Sequence, residues 1–152
     1  MKSILIVGAS NAGKSTTAYE ICSQLKPNKV YRLNITNETL IESELKAIFN
    51  NTFIIEVNGK FILIVAGATT EQGFFITVIV EVCIKLKIDI SFALVSMRCF
   101  EKKKGFKTKA QLSTISEIVA IEKISKISGD FKNSIEWKNR IEKIVKKIVE
   151  NL

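Results

Sequence analysis

Eight residues near the amino terminus, Gly8-Ala9-Ser10-Asn11-Ala12-Gly13-Lys14-Ser15, constrain this chain more than any other stretch. Two glycines bracket four residues, and a lysine and a serine follow directly. Ser3-Ile4-Leu5-Ile6-Val7 precedes them, a short, mostly β-branched apolar run that predicts a buried strand. After them, Ala18, Ile21, Cys22 and Leu25 recur at helical spacing. A strand is therefore expected to pass through a tight turn into a helix. Gly8 and Gly13 let the backbone turn sharply and come close to a ligand where a Cβ would obstruct it. The loop amides and the free N–H groups of the helix N-terminus then converge on one concavity, with the positive end of the helix dipole behind them. An anion fits such a place.

The spacing G-x-x-x-x-G-K-S, with a strand before it and a helix after it, resembles the phosphate-binding loop (Walker A) of the P-loop NTPase superfamily. The resemblance is confined to this first strand, loop and helix. It implies a nucleoside triphosphate ligand with Mg²⁺, held by Gly8, Ala9, Ser10, Asn11, Ala12, Gly13, Lys14, Ser15 and Thr16. Lys14 would reach the β- and γ-phosphates and serve catalysis, and the Ser15 hydroxyl would ligate the metal. The fold it implies is a three-layer α/β P-loop domain over residues 1–152, with a mostly parallel sheet and one antiparallel hairpin strand at an edge.

Length and composition fit one domain with a good core: 47% of the residues are hydrophobic and 25% charged. The apolar run after Lys2 is too short for a signal peptide and leads straight into the glycine loop. Phe74 to Val80 is very apolar, but Glu81 and Lys85 interrupt it before it could span a bilayer. No membrane association is expected, and the cytoplasm is the expected compartment. There is no histidine, which removes histidine catalysis and histidine metal sites. Cys22, Cys83 and Cys99 are widely spaced and read as reduced packing residues.

The net charge of +8 is unevenly placed: residues 1–97 carry 9 Lys/Arg against 8 Asp/Glu, and residues 98–152 carry 14 against 7. A basic last third attracts phosphate-bearing partners, nucleic acid among them, or is a lysine-rich solvated surface.

Pro27 ends the first helix, and Lys29-Val30-Tyr31-Arg32-Leu33 predicts a second strand. Asn34, Thr36 and Asn37 follow at its carboxyl end, the ligand side of an open α/β sheet, and are candidates to face a phosphate acceptor. Small P-loop kinases, to which the chain bears a likeness, carry an aspartate just after this strand. Asn34 can hydrogen-bond but cannot act as a base. Thr39-x-x-Glu42 looks like a capping box and predicts a helix with Ile41, Leu45, Ile48 and Phe49 on one face.

Asn58-Gly59 between Thr52–Val57 and Lys60–Ala66 is a strong hairpin signal, because a type I′ turn needs positive φ at both positions. The hairpin resembles that of the small GTPases, whose second strand ends in Asp-x-x-Gly. That strand is expected to lie beside the first one. Here it ends Ala66-Gly67, with no Walker B aspartate. Gly67 could still offer its N–H to a γ-phosphate, and Glu71 or Gln72 could orient a water. Ile90–Ser96 predicts another strand, but no Asn-Lys-x-Asp follows it, so adenine rather than guanine is the expected base. Glu71–Lys87 is expected to be a buried helix between the two strands.

Residues 98–109 hold six positive charges and one negative. In small P-loop kinases a basic lid occupies this place, and Arg98 is the residue expected to meet phosphate. A surface loop, or a nucleic-acid contact using Phe100 and Phe106, are the other readings. Glu117–Glu122 reads as a final strand or as a continuation of a short helix over Lys109–Ser116, and its β-branched content favours the strand. The last helix starts near Asn133, with Trp137, Ile141, Ile144, Val145, Ile148 and Leu152 on one face and Glu136–Arg140 and Glu142–Lys146 paired on its surface.

Three functions follow as expectations. The first is a Mg²⁺-dependent nucleotide-binding protein, ATP or another NTP, acting as a small phosphotransferase on a small-molecule or nucleotide acceptor. The second is a slow NTPase or nucleotide-gated switch that presents a surface to a protein partner. The third is a nucleic-acid-associated P-loop protein using residues 98–152.

Overall fold

The computed structural model describes residues 1–152 as one seven-stranded mixed sheet with helices on both faces. The chain runs through β1 (Lys2–Val7), α1 (Lys14–Leu25), β2 (Lys29–Asn34), β3 (Thr39–Ser43), β4 (Thr52–Val57), β5 (Lys60–Val65), α2 (Thr69–Gln72), α3 (Ile76–Lys85), β6 (Ile90–Met97), α4 (Thr108–Ser113), β7 (Glu117–Lys123) and α5 (Ile135–Glu150). The strand order is β3-β2-β4-β5-β6-β1-β7.

Three ladders are parallel, β5·β6, β6·β1 and β1·β7, and three are antiparallel, β3·β2, β2·β4 and β4·β5. The expectation of a mostly parallel sheet with a single antiparallel edge strand is therefore corrected: the sheet is half one and half the other. The cause is local. Short turns join β2 to β3 and β4 to β5, and a short turn can only return a strand antiparallel to its neighbour. The β4–β5 turn is the expected one, with Asn58 at φ 50° and Gly59 at φ 76°.

A second correction concerns β5. It does not lie beside β1, because β6 is inserted between them. The third concerns Thr39–Ser43, which is an edge strand and not a helix. Its Ile41 is 52% exposed, so the apparent helical stripe through Ile41 does not face a core. Only a 3₁₀ turn at Leu45–Ala47 follows it.

Two apolar layers hold the sheet. Ala18, Ile21 and Cys22 of α1 and Trp137, Ile141 and Ile144 of α5 pack with Ile4, Ile64 and Leu94 on one face. Ile76, Ile79 and Cys83 of α3 and Leu112 of α4 pack with Leu5, Leu63 and Val95 on the other. β1, β5 and β6 are buried on both faces, which is why they read as continuous apolar runs rather than alternating ones. The segment expected as one helix from Glu71 is two, broken at Gly73, and α3 buries one face, Ile76, Ile79, Val80, Val82 and Cys83, while Val78, Glu81, Ile84 and Lys85 are exposed. On α5, Trp137 is a core residue, edge-to-face on Phe131 at 5.0 Å. The Glu136–Arg140 and Glu142–Lys146 pairs do not form; Lys143 instead reaches Glu122 of β7 at 3.3 Å. No helix is long and apolar enough to cross a membrane.

The carboxyl ends of β1, β5 and β6 lie at one edge of the sheet, since Val7 is in register with Met97 and Val65 with Val95. β2 runs the same way, because two antiparallel steps restore its direction. Gly8, Asn34, Gly67 and Arg98 thus all emerge on the same side.

Candidate functional site

The Gly8–Ser15 loop rises from the end of β1 and is pinned on both sides. Gly8 N donates to Met97 O at 3.1 Å, and Ile124 N donates to Val7 O at 2.8 Å. Gly13 caps α1 with φ 93°, a left-handed conformation that costs glycine nothing. No side chain caps α1. The N–H groups of its first turn therefore have no intrahelical acceptor and are open to an anion.

Lys14 is 6% exposed and folds back over the loop, where Nζ donates to Gly8 O at 2.9 Å and Ala9 O at 2.7 Å. Burial pushes the pKa of its ammonium below the usual 10.5; Glu71 opposes the shift, and Arg98 adds to it. Its charge is thus held by carbonyl oxygens in a site with room for a stronger partner.

Ser15 has two acceptors within reach of its hydroxyl, Asn50 Oδ1 at 2.7 Å and Ala66 O at 3.1 Å, and it accepts from Asn50 N at 3.1 Å. Asn50 is the residue that sequence reasoning missed. It precedes β4 and meets Ser15 beside Ala66 at the end of β5, the strand end that carries no aspartate. Its φ of 47° is left-handed, a conformation asparagine tolerates better than most residues. The only local sign was the dipeptide Asn50-Asn51 ahead of a strand, a turn signal that says nothing of its partner. Gly67 packs directly on it: a Cβ at Gly67 would overlap the Asn50 backbone. Although β5 is one strand removed from β1, Ser15 at the start of α1 reaches Ala66 at the end of β5.

A 340 Å³ pocket lies over the loop, lined by Ser10, Asn11, Gly13, Lys14, Ser15 and Thr16 on one side and Asn50, Gly67 and Glu71 on the other. Of the sequence candidates, Gly8 is structural, packed against Ala12 and Ile124. Ala9 lines an adjoining cavity of 460 Å³ together with Ser10, Glu71 and Arg98. Ala12 lines a third cavity, of 330 Å³, with Ile127, Phe131, Trp137 and Arg140. Arg140 there reaches Ser125 O at 2.8 Å and Thr17 Oγ1 at 3.5 Å, and burial lowers its pKa. It was expected on the α5 surface.

Arg98 lies beside the loop pocket and pairs with Glu71 at 3.0 Å. Glu71 is the only carboxylate lining either of the two adjoining pockets. Glu71 and Gln72 part company. Gln72 turns away, donating to Gly67 O at 2.7 Å and accepting from Thr52 Oγ1 at 2.8 Å.

Asn34, Thr36 and Asn37 are not brought to the loop pocket. They line a separate 260 Å³ cavity with Asn51 and Gln72. Asn34 Oδ1 is engaged by Asn37 N at 3.0 Å in the turn that joins β2 to β3. The expected stacking pair is also corrected. Phe106 is buried against Phe75, centroids 4.5 Å apart, while Phe100 is 77% exposed. Glu101 ties the 98–107 segment to α4 by accepting from Thr108 N at 2.8 Å, and Gly105 O accepts from Gln111 Nε2 at 3.0 Å.

No group of three or more His, Cys, Asp or Glu side chains gathers anywhere in the molecule. The donors beside Ser15 are its own hydroxyl, an amide oxygen and a backbone carbonyl. That set suits a hard cation bound mainly by phosphate and water, not one held by the protein alone. No family model, curated protein or solved structure matches the chain.

Proposed function

We propose that the chain binds a Mg²⁺–nucleoside triphosphate, ATP by preference, on the Gly8–Ser15 loop and acts as a small phosphotransferase. The observation that carries this is the uncapped N-terminus of α1 beneath a lysine whose buried ammonium has only carbonyl oxygens for partners. Phosphate oxygens would replace those carbonyls with charge-assisted bonds, which are roughly twice as strong as neutral ones. The Ser15 hydroxyl would take a magnesium position, with Asn50 Oδ1 holding its proton. The nucleoside would extend into the cavity between Ala12 and Trp137, whose Ile127 and Phe131 walls suit a flat base.

Transfer is favoured over simple hydrolysis by what stands on the other flank of the loop. Arg98, Lys102 and Lys103 border the adjoining cavity and could neutralise a moving phosphoryl group. The test is ATP labelled at its γ-phosphate, incubated with Mg²⁺ and protein. Label moving onto an added organic acceptor supports a phosphotransferase, and label released only as inorganic phosphate supports an NTPase.

A second reading, a nucleotide-gated switch, has one observation behind it. Ser15 holds Asn50 and Ala66 together, and Gln72 ties Gly67 to Thr52. A metal taking the Ser15 hydroxyl would loosen one of these ties and leave the other, shifting the 66–73 segment.

A further inference from the structure

The 460 Å³ cavity beside the loop is distinct from the pocket over Lys14 and Ser15, and its lining is not that of a plain surface hollow. It shares Ser10 and Glu71 with the loop pocket, so anything in it would sit beside the end of a bound triphosphate. Arg98, Lys102 and Lys103 supply three cations against the single carboxylate of Glu71. The Phe100 ring stands 77% exposed at its rim. Thr70, also in the lining, has a buried hydroxyl with no hydrogen-bond partner. The volume is in the range of small-molecule sites.

We infer that this cavity is the acceptor subsite, and that the acceptor is an organic phosphate monoester carrying a free hydroxyl. The inference rests on the Gly8–Ser15 loop holding the triphosphate. The monoester dianion suits Arg98, whose guanidinium presents a planar fork of donors, with Lys102 and Lys103 adding charge. The Arg98–Glu71 pair is easily exchanged, because both side chains are more than a third exposed and solvent screens such a pair. A phosphate that takes Arg98 therefore releases Glu71 toward the loop pocket. In the transfer step the acceptor oxygen bonds to the γ-phosphorus as the bond from that phosphorus to the β–γ bridging oxygen breaks. The acceptor proton passes to Glu71, and the nucleoside diphosphate leaves. This moves the acceptor from the cavity of Asn34 and Asn37, which Gln72 lines, to the cavity that Glu71 and Arg98 line.

Cys99 gives a reporter inside the cavity, because it lines it and is the one exposed cysteine. The experiment follows the rate of Cys99 alkylation by iodoacetamide in the whole protein. Uridine 5′-monophosphate and ribose 5-phosphate are the probes, each at millimolar concentration, with and without a non-hydrolysable ATP analogue. Protection of about tenfold by either probe is expected, and it should fall to less than about twofold in Lys102→Ala/Lys103→Ala. Titration of the ATP analogue alone into the wild type, measured separately, distinguishes a failed subsite from a failed nucleotide site. No protection by either probe, or protection that survives the double substitution, would overturn the inference. Protection by a probe in a protein that binds no ATP analogue would keep an anion site here and remove its role as an acceptor site.

Discussion

Ser15 Oγ and Asn50 Oδ1 lie 2.7 Å apart, and the Asn50 amide closes the pair from the other side at 3.1 Å. An uncharged amide is thus the side-chain partner of the serine to which the proposal gives magnesium. Asn50→Asp should bring a negative charge to the metal position while keeping the side-chain shape and the tolerance of a left-handed backbone. Nucleotide affinity measured with and without Mg²⁺ should become about tenfold more metal-dependent. Asn50→Ala should weaken Mg²⁺-dependent binding and cost about 1–3 kcal/mol of stability, because the Ser15 hydroxyl loses a partner and alanine resists φ 47°.

Gly67 is fixed by close approach, since a Cβ there would run into the Asn50 backbone rather than a flexible side chain. Gly67→Ala should therefore destabilise the fold by about 1–3 kcal/mol, as overpacking does. It should also lower nucleotide affinity, because residues 49–51 must move away from Ser15. Denaturant unfolding and calorimetric titration of the same variant check both.

The Lys14 pKa lies below 10.5 in the fold, first because of burial and then because of Arg98. The folded state thus binds this proton less tightly than the unfolded chain does. Below the folded value the charged lysine costs stability, and that cost is relieved as pH rises from the folded value to 10.5. The stability of the ligand-free wild type relative to Lys14→Gln should rise across that alkaline window. Nucleotide affinity should fall across the same window, as the ammonium loses its charge. Thermal melts against pH, with and without an ATP analogue, follow the two opposite trends.

Burial pushes the Cys22 and Cys83 thiols up to about 12, whereas Cys99 is exposed. A thiol titration near neutral pH should find one fast-reacting cysteine in the native protein and three after denaturation.

The elements legible in the sequence were those with local causes. The Gly8–Ser15 turn, the Asn58-Gly59 hairpin, the β-branched run of β7 and the apolar stripe of α5 each carry their signal within a few residues. What escaped depends on distant partners. Thr39–Ser43 has a capping-box pattern and becomes a strand because β2 offers an edge. The insertion of β6 between β1 and β5 leaves no trace in any single strand, as all three are apolar throughout. At the site, the loop residues could be named from their spacing. Asn50 and Arg140 could not, because their roles exist only once Ser15 and Ser125 are brought to them.

The central claim is a Lys14-dependent triphosphate site, and calorimetric titration tests it most directly. Non-hydrolysable ATP and GTP analogues are titrated with Mg²⁺ into the wild type and Lys14→Ala. The wild type should bind the ATP analogue, and more tightly than the GTP analogue. Lys14→Ala should remain folded and lose affinity by about tenfold to a hundredfold, the worth of charge-assisted phosphate bonds. Unchanged affinity in a folded Lys14→Ala protein, or no binding to the wild type, would contradict it.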